Sequence, residues 1–172
     1  QGLATAKYRG LGTVSNVLVL NGLGILPTNN FRAGTFAEAE QVSGEYLHEH
    51  YWKKTVACSA CPIGCEQVVK VEDGDYAGAA LSLEYESLFA LGTCCGIDHL
   101  PAIIKANELC DILGMDSMSA GVTAAWAMEC YDKGLLTEQD TDGLDLHFGN
   151  HRALITLIER IGRREGLGDV LA

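Results

Sequence analysis

The sequence predicts a mainly α, multi-helical domain with at most a short β-hairpin near residues 66–78. Three observations carry that reading. From Leu83 onward, apolar residues recur at helical spacing, and the stretches they mark are bounded by recognisable start and stop residues. Clear two-residue alternation occurs at Gln67-Val-Val-Lys-Val71, which runs into the turn residues Glu72-Asp-Gly-Asp75. The hydrophobic fraction is 48% in 172 residues, enough to bury one substantial core.

The elements follow in order. The first 25 residues are Gly-rich around the apolar stretch Val17-Leu-Val-Leu-Asn-Gly-Leu23, and Pro27-Thr-Asn-Asn30 reads as a loop. Thr35-Phe-Ala-Glu38 has the form of a capping box and predicts a helix from there to about Tyr51. A second helix is expected over Glu84 to Leu91, ending near Gly92. Asp98 can cap a third, with Pro101 tolerated in its first turn and Gly114 at its end. Its apolar positions Ile103, Ile104, Ala106, Leu109, Cys110, Ile112 and Leu113 are too many for one stripe, so burial on most sides is expected. Ser117 or Ser119 can start a fourth, through Val122, Trp126 and Cys130 to Gly134. The last carries Leu154, Leu157, Ile158 and Ile161 at helical spacing. Its final turns hold Arg160, Arg163 and Arg164, where the helix dipole favours cations.

The formal net charge is −11, with 20% charged residues. That balance argues against nucleic acid and against an anionic membrane surface, both of which need a basic face. No run of 18 apolar residues and no secretory leader pattern is present in this stretch. The start at Gln1 and the stop after Gly166-Leu-Gly-Asp-Val-Leu-Ala172 read as a piece of a longer chain. Seven cysteines, three of them crowded into Cys58 to Cys65, suit a reducing compartment with one metal cluster better than a disulfide scaffold; a cytoplasmic origin is expected.

Cys58-Ser-Ala-Cys61-Pro-Ile-Gly-Cys65 is the strongest chemical signal. Thiolates at this spacing can wrap one metal centre, and the small residues between them let the backbone approach the sulfurs. Zinc sites more often pair two separated C-x2-C units or a Cys pair with a His pair. Three cysteines at C-x2-C-x3-C suit a [4Fe–4S] cluster, which needs a fourth ligand. The competing reading is zinc completed by His99, His147 or another cysteine.

Several further segments, in this order, resemble the tungsten-containing aldehyde:ferredoxin oxidoreductases. They are Leu26-Pro-Thr-Asn-Asn-Phe31, Gly34-Thr-Phe36, Ser43-Gly-Glu45, the cysteine motif, Leu83-Glu-Tyr-Glu-Ser-Leu88, Cys95-Gly-Ile97, Asn107 to Asp116, and Arg164-Glu-Gly-Leu-Gly-Asp169. The resemblance implies a parent enzyme of three domains that oxidises aldehydes to carboxylic acids. In it, tungsten (or molybdenum) is held by two pterins, and a [4Fe–4S] cluster passes electrons to ferredoxin. Residues 1–172 would be its middle helical domain, with the N-terminal β domain and the C-terminal helical domain outside this chain. The fourth cluster cysteine would come from that last domain, so the fragment alone is expected to be inactive and largely apo, with the Cys58–Cys65 loop disordered or rearranged. Expected partners are ferredoxin, the aldehyde and the remaining domains.

The resemblance also assigns site residues. Asp111-Ile-Leu-Gly114-Met-Asp116 matches a D-x-x-G-x-D/C pterin-binding motif, with Asp111, Gly114 and Asp116 as cofactor-binding residues; on the residues alone it is a helix stop followed by an N-cap. Glu84-Tyr-Glu86 corresponds to a segment with an acidic residue near the metal. Glu86, slightly ahead of Glu84, is the expected proton-transfer group, and a helix-start acid is the simpler reading of Glu84. Ser82-Leu83 stands where many relatives have Gly-Pro. Cys94, Cys95, Cys110 and Cys130 read as small buried residues, with Cys95 a candidate pterin neighbour, and His48 and His50 as an exposed helix face. Two other functions compete: a stand-alone iron–sulfur electron-transfer domain, which needs Cys94 or Cys95 as fourth ligand, and a zinc-stabilised helical interaction module.

Overall fold

The computed structural model describes residues 2 and 5–172; Gln1, Leu3 and Ala4 of the Gly-rich opening lie outside the described residues. Among these, the chain forms eight α-helices and one small antiparallel sheet. Helices α1 (Ala6–Leu11), α2 (Asn16–Gly22) and α3 (Gly44–His50) precede strands β1 (Trp52–Val56), β2 (Glu66–Lys70) and β3 (Ala80–Leu83). Then come α4 (Tyr85–Leu91), α5 (Leu100–Leu113), α6 (Ser117–Asp132), α7 (His151–Arg163) and α8 (Leu167–Leu171). The mainly α reading therefore holds.

The sheet order is β1-β2-β3, with Val56 opposite Glu66 and Gln67 opposite Leu83. The β2–β3 hairpin is the one the alternation announced. Strand β1 was not anticipated. Its residues Trp52, Lys53 and Lys54 are all exposed, so no apolar alternation marks it, and its register shifts between Trp52 and Lys54. On the inner face of β2, Gln67 and Val69 are fully buried.

The capping box at Thr35–Glu38 does not start a helix. Residues 39–42 make a 3₁₀ turn, and α3 begins at Gly44, because the Ser43 hydroxyl accepts the Tyr46 N–H at 3.1 Å. Ser43 supplies the cap that Thr35 was expected to supply. Helix α5 starts one residue later than expected, after His99, which makes no side-chain cap. It ends at Gly114 in the left-handed conformation (φ +69°). Its face is buried from Leu100 to Cys110 as expected, yet Ile112 in its last turn is 69% exposed.

The core is one contiguous cluster drawn from every helix from α2 to α7 and from the sheet. Helix α7 contributes Leu154, Leu157, Ile158 and Ile161, and packs on α5. Helix α6 lies against α4, with Gly121 facing Ala90, and buries the small residues Ala120, Gly121, Ala124 and Ala125, while Trp126 points out at 54% exposure. Trp126, which marks α6 in the sequence, thus lies on its outer face while small residues face inward; Val122 and Cys130 are half-buried. Close approach explains the inversion: a Cβ on Gly121 would stand 2.5 Å from the Ala90 carbonyl carbon of α4. Nothing lies within 4 Å of a Cβ at Gly10 in α1.

Gly121→Ala should therefore lower unfolding stability by about 1–3 kcal/mol through overpacking. Gly10→Ala should leave it unchanged or raise it by up to about 1 kcal/mol through helix propensity. Urea titrations of both variants measure the difference, and equal midpoints would contradict the close α4–α6 packing.

Candidate functional site

The cysteine motif occupies the loop 57–65 between β1 and β2, so the sheet fixes both of its ends. Cys58 is exposed, Cys61 and Cys65 are partly buried, and all three thiols are free. The Cys61 N–H donates to the Cys58 carbonyl at 3.0 Å, closing a turn in which Ala60 takes φ +60°. Gly64 is also left-handed, at φ +65°. The Arg9 Nε of α1 donates to the Ile63 carbonyl at 3.3 Å and ties that helix to the loop.

The thiols sit in different electrostatic surroundings. Backbone N–H groups of Gly64 and Ile63 hold the Cys61 thiol below its usual range, because they favour the thiolate. Burial pushes the Cys65 thiol up, and the Glu84 carboxylate and the Cys61 and Cys58 sulfurs act in the same direction. N–H groups aimed at a cysteine sulfur are a donor arrangement that suits iron–sulfur ligation. Among the described residues, no three His, Cys, Asp or Glu side chains converge closely enough to enclose a metal ion. The loop gathers the three thiols on one segment without focusing them on one point.

The suggested additional ligands are engaged elsewhere. Cys94 and Cys95 are fully buried, and the Cys95 thiol donates to the Ala90 and Gly121 carbonyls at 3.4 and 3.5 Å. His99 stacks on His151, and His147 bonds Asp132 at 2.7 Å while remaining exposed. Cys110 is buried and Cys130 partly so; His48 and His50 are exposed on α3. Residues Glu138 to Asp140 are exposed.

Glu84 precedes α4 and is partly buried. Its Oε2 accepts a short hydrogen bond from the Thr13 hydroxyl, which in turn accepts the Tyr85 N–H at 2.9 Å. Burial raises the Glu84 carboxyl above its usual range; the Thr13 hydrogen bond opposes this, and the nearby carboxylates of Glu86 and Glu66 add to it. Glu86, two residues further on, is exposed. Glu84 is therefore the more buried of the two, whereas the sequence ranked Glu86 ahead as the proton-transfer group. Thr13 carried no sequence signal, because its partner lies 71 residues away.

The Asp111–Asp116 segment links α5 to α6. Asp111 is exposed in the last turn of α5, and its carbonyl accepts the Gly114 N–H at 3.3 Å. Asp116 caps α6: its Oδ2 accepts the Ser119 N–H at 2.7 Å, and the Ser119 hydroxyl and N–H together hold its carboxyl below the usual range. The same residue lines a cavity of about 370 Å³ with Met115, Ser119, Thr123, Gly162 and Arg164. Gly114 and Asp111 are not in that lining.

The candidate site thus combines a thiol loop hung between paired strands with a cavity at the α5–α6 junction that has Asp116 on its wall. Residues 2–172 match the family model described as aldehyde ferredoxin oxidoreductase, domains 2 and 3, and the chain belongs to that family. It is 43% identical over 162 residues to the tungsten-containing aldehyde ferredoxin oxidoreductase of Thermococcus kodakarensis, covering 94% of this chain and 26% of that protein. The Pyrococcus furiosus protein of the same description is 41% identical over the same shares. An aliphatic sulfonate oxidoreductase, WOR-like subunit, of Pyrococcus furiosus is 31% identical over 80% of this chain and 22% of that protein. The chain thus spans about a quarter of the length of the relatives it matches. A solved structure, the active site complex BamBC of benzoyl coenzyme A reductase with 1,5-dienoyl-CoA, shares the fold. Its TM-score is 0.71 at 19% identity, over 95% of this chain and 24% of that one.

The raised Glu84 carboxyl makes a stability prediction. The folded state holds this proton more tightly than the unfolded chain, so the contribution is full below the ordinary carboxyl range near 4.5 and is lost as pH rises through the raised one. Glu84→Gln should therefore melt above the parent chain at pH 8 and converge with it toward pH 4, as followed by circular dichroism. A constant difference across that range would remove burial as the cause.

Proposed function

We propose that this chain is a segment of an oxidoreductase that converts aldehydes to carboxylic acids with ferredoxin as electron acceptor. On this reading it contributes Cys58, Cys61 and Cys65 to a [4Fe–4S] cluster and Asp111, Gly114 and Asp116 to pterin binding. When bound, the tungsten–pterin group would supply the two-electron oxidation of aldehyde plus water, and the cluster would relay the electrons onward. The observation that carries the reading is three free thiols on one loop anchored by paired strands, in a chain of this family. The thiol donor set fits a cluster, and its remaining ligand would come from another part of the parent protein. The buried, hydrogen-bonded positions of Cys94 and Cys95 count against the stand-alone carrier, which needs one of them. The separate engagements of His99 and His147 count against completed zinc.

The chain's own residues have distinct tasks. The Ile63 and Gly64 N–H groups stabilise the Cys61 thiolate. Asp116 presents a carboxylate at the cavity rim, where it can accept N–H groups of a flat heterocycle, and Gly114 gives the left-handed turn that brings α6 to that rim. Asp111 offers a second, exposed carboxylate at the same junction. Glu84, partly buried and tied to Thr13, holds or releases a proton at its second carboxylate oxygen, Oε1; Glu86 is the exposed acid beside it. Residues 1–172 act as one helical domain between a preceding β domain and a following helical domain. Its reducing thiols suit the cytoplasm, and among the described residues no single helix is long and apolar enough to cross a membrane.

Anaerobic addition of ferrous iron and sulfide tests the cluster assignment. The parent oxidoreductase should develop broad absorption in the blue that bleaches with dithionite, and Cys61→Ala should abolish most of it. A colourless protein holding one zinc per chain would sink the assignment.

A further inference from the structure

Gly12 and Thr13 lie between the two halves of the candidate site. Gly12 (φ +68°) passes so close to the thiol loop that a Cβ there would stand 2.7 Å from the Cys65 carbonyl oxygen and 2.5 Å from Cγ of Gln67. Gln67 is fully buried. Its Nε2 donates to the Cys65 carbonyl at 3.2 Å, and its Oε1 accepts from the Thr55 hydroxyl at 3.3 Å. This amide pins the Cys65 end of the loop to the sheet, directly beneath Gly12.

On the other side of the turn, the Thr13 hydroxyl commits its proton to Glu84 Oε2 and a lone pair to the Tyr85 N–H. A hydroxyl has one proton to give. With donor and acceptor directions both used, its rotor is fixed, and the carboxylate it holds is fixed with it. Glu84 itself makes no cap to α4, so its carboxylate has no other side-chain tether in the first turn of the helix. The Ser15 hydroxyl donates to the Gly12 carbonyl at 2.8 Å and holds the turn closed.

We propose that the Gly12–Thr13 turn is a bracket that sets Glu84 against the Cys65 end of the thiol loop, with Thr13 the positioning residue for Glu84. The proposal rests on the acid–base reading of Glu84 given above and adds the group that orients it. Glycine is required at 12 because the loop carbonyl occupies the space of a side chain, and a hydroxyl is required at 13 because one atom must both donate and accept. Serine meets the second requirement, whereas valine has the shape of threonine without the hydroxyl.

The test compares Thr13→Val with Thr13→Ser. In the chain itself, labelled with ¹³C at glutamate and held at pH 8, Thr13→Val should displace the Glu84 carboxylate signal while Thr13→Ser leaves it in place. In the parent oxidoreductase, Thr13→Val should lower kcat about ten- to a hundredfold, the cost of a misplaced reacting group, with KM changed less than about threefold. Thr13→Ser should restore most of that loss. An unmoved Glu84 signal in Thr13→Val overturns the bracket, as does a Thr13→Ser enzyme as slow as Thr13→Val. Full turnover by Glu84→Gln, with the signal still displaced in Thr13→Val, would instead remove the acid–base role of Glu84 and leave the bracket standing.

Discussion

Everything else in the molecule is arranged around the close packing of α4 on α6. Helix α4 is only seven residues long, too short to hold itself together in water, and it persists because Leu88, Ala90 and Leu91 are buried. The absence of a side chain at Gly121 lets α6 come near enough for that burial. Its N-terminus then presents Glu84 to the Thr13 hydroxyl. Its C-terminus turns through Gly92 into Thr93–Cys95, which takes hydrogen bonds from the 28–30 loop: the Asn29 and Asn30 N–H groups donate to the Thr93 and Cys94 carbonyls at 3.0 and 2.8 Å. One short element therefore links the carboxylate, the buried cysteines and the inner face of α6.

Electrostatics divides the candidate site into unlike parts. The loop sulfurs experience both backbone donors, which favour thiolate at Cys61, and a neighbouring carboxylate, which disfavours it at Cys65. Negative charge on these sulfurs and on Glu84 is mutually unfavourable, so proton release at one raises the cost of charge at the other. A cation set among the thiols would reverse that sign and favour both anions together.

Much of the helical half was legible in the sequence, because its signals are local. Gly92 and Gly114 end α4 and α5. The four apolar residues chosen for α7 are all buried. The failures were non-local. Strand β1 exists because β2 pairs with it, and its own residues are exposed and lysine-bearing. The Thr35 capping box lost to Ser43, whose hydroxyl reaches the N–H of the third helical residue. For the candidate site, spacing alone singled out the cysteines. The relative placing of Glu84 and Glu86 depended on which one meets Thr13 across the fold, and no periodicity records that contact.

Asp116 serves two masters. Its carboxylate stabilises the start of α6 by accepting the Ser119 N–H, while also forming part of a cavity wall. Asparagine or serine would preserve the helix end while removing the negative charge, whereas glutamate would keep the charge and forfeit the cap. Amino-acid exchange at this position can therefore alter the charge of the cavity wall without unravelling the helix, or weaken the helix without altering the sign of that charge. Drift here is channelled into two separable kinds, one felt in the cavity's electrostatics and the other in the firmness of α6.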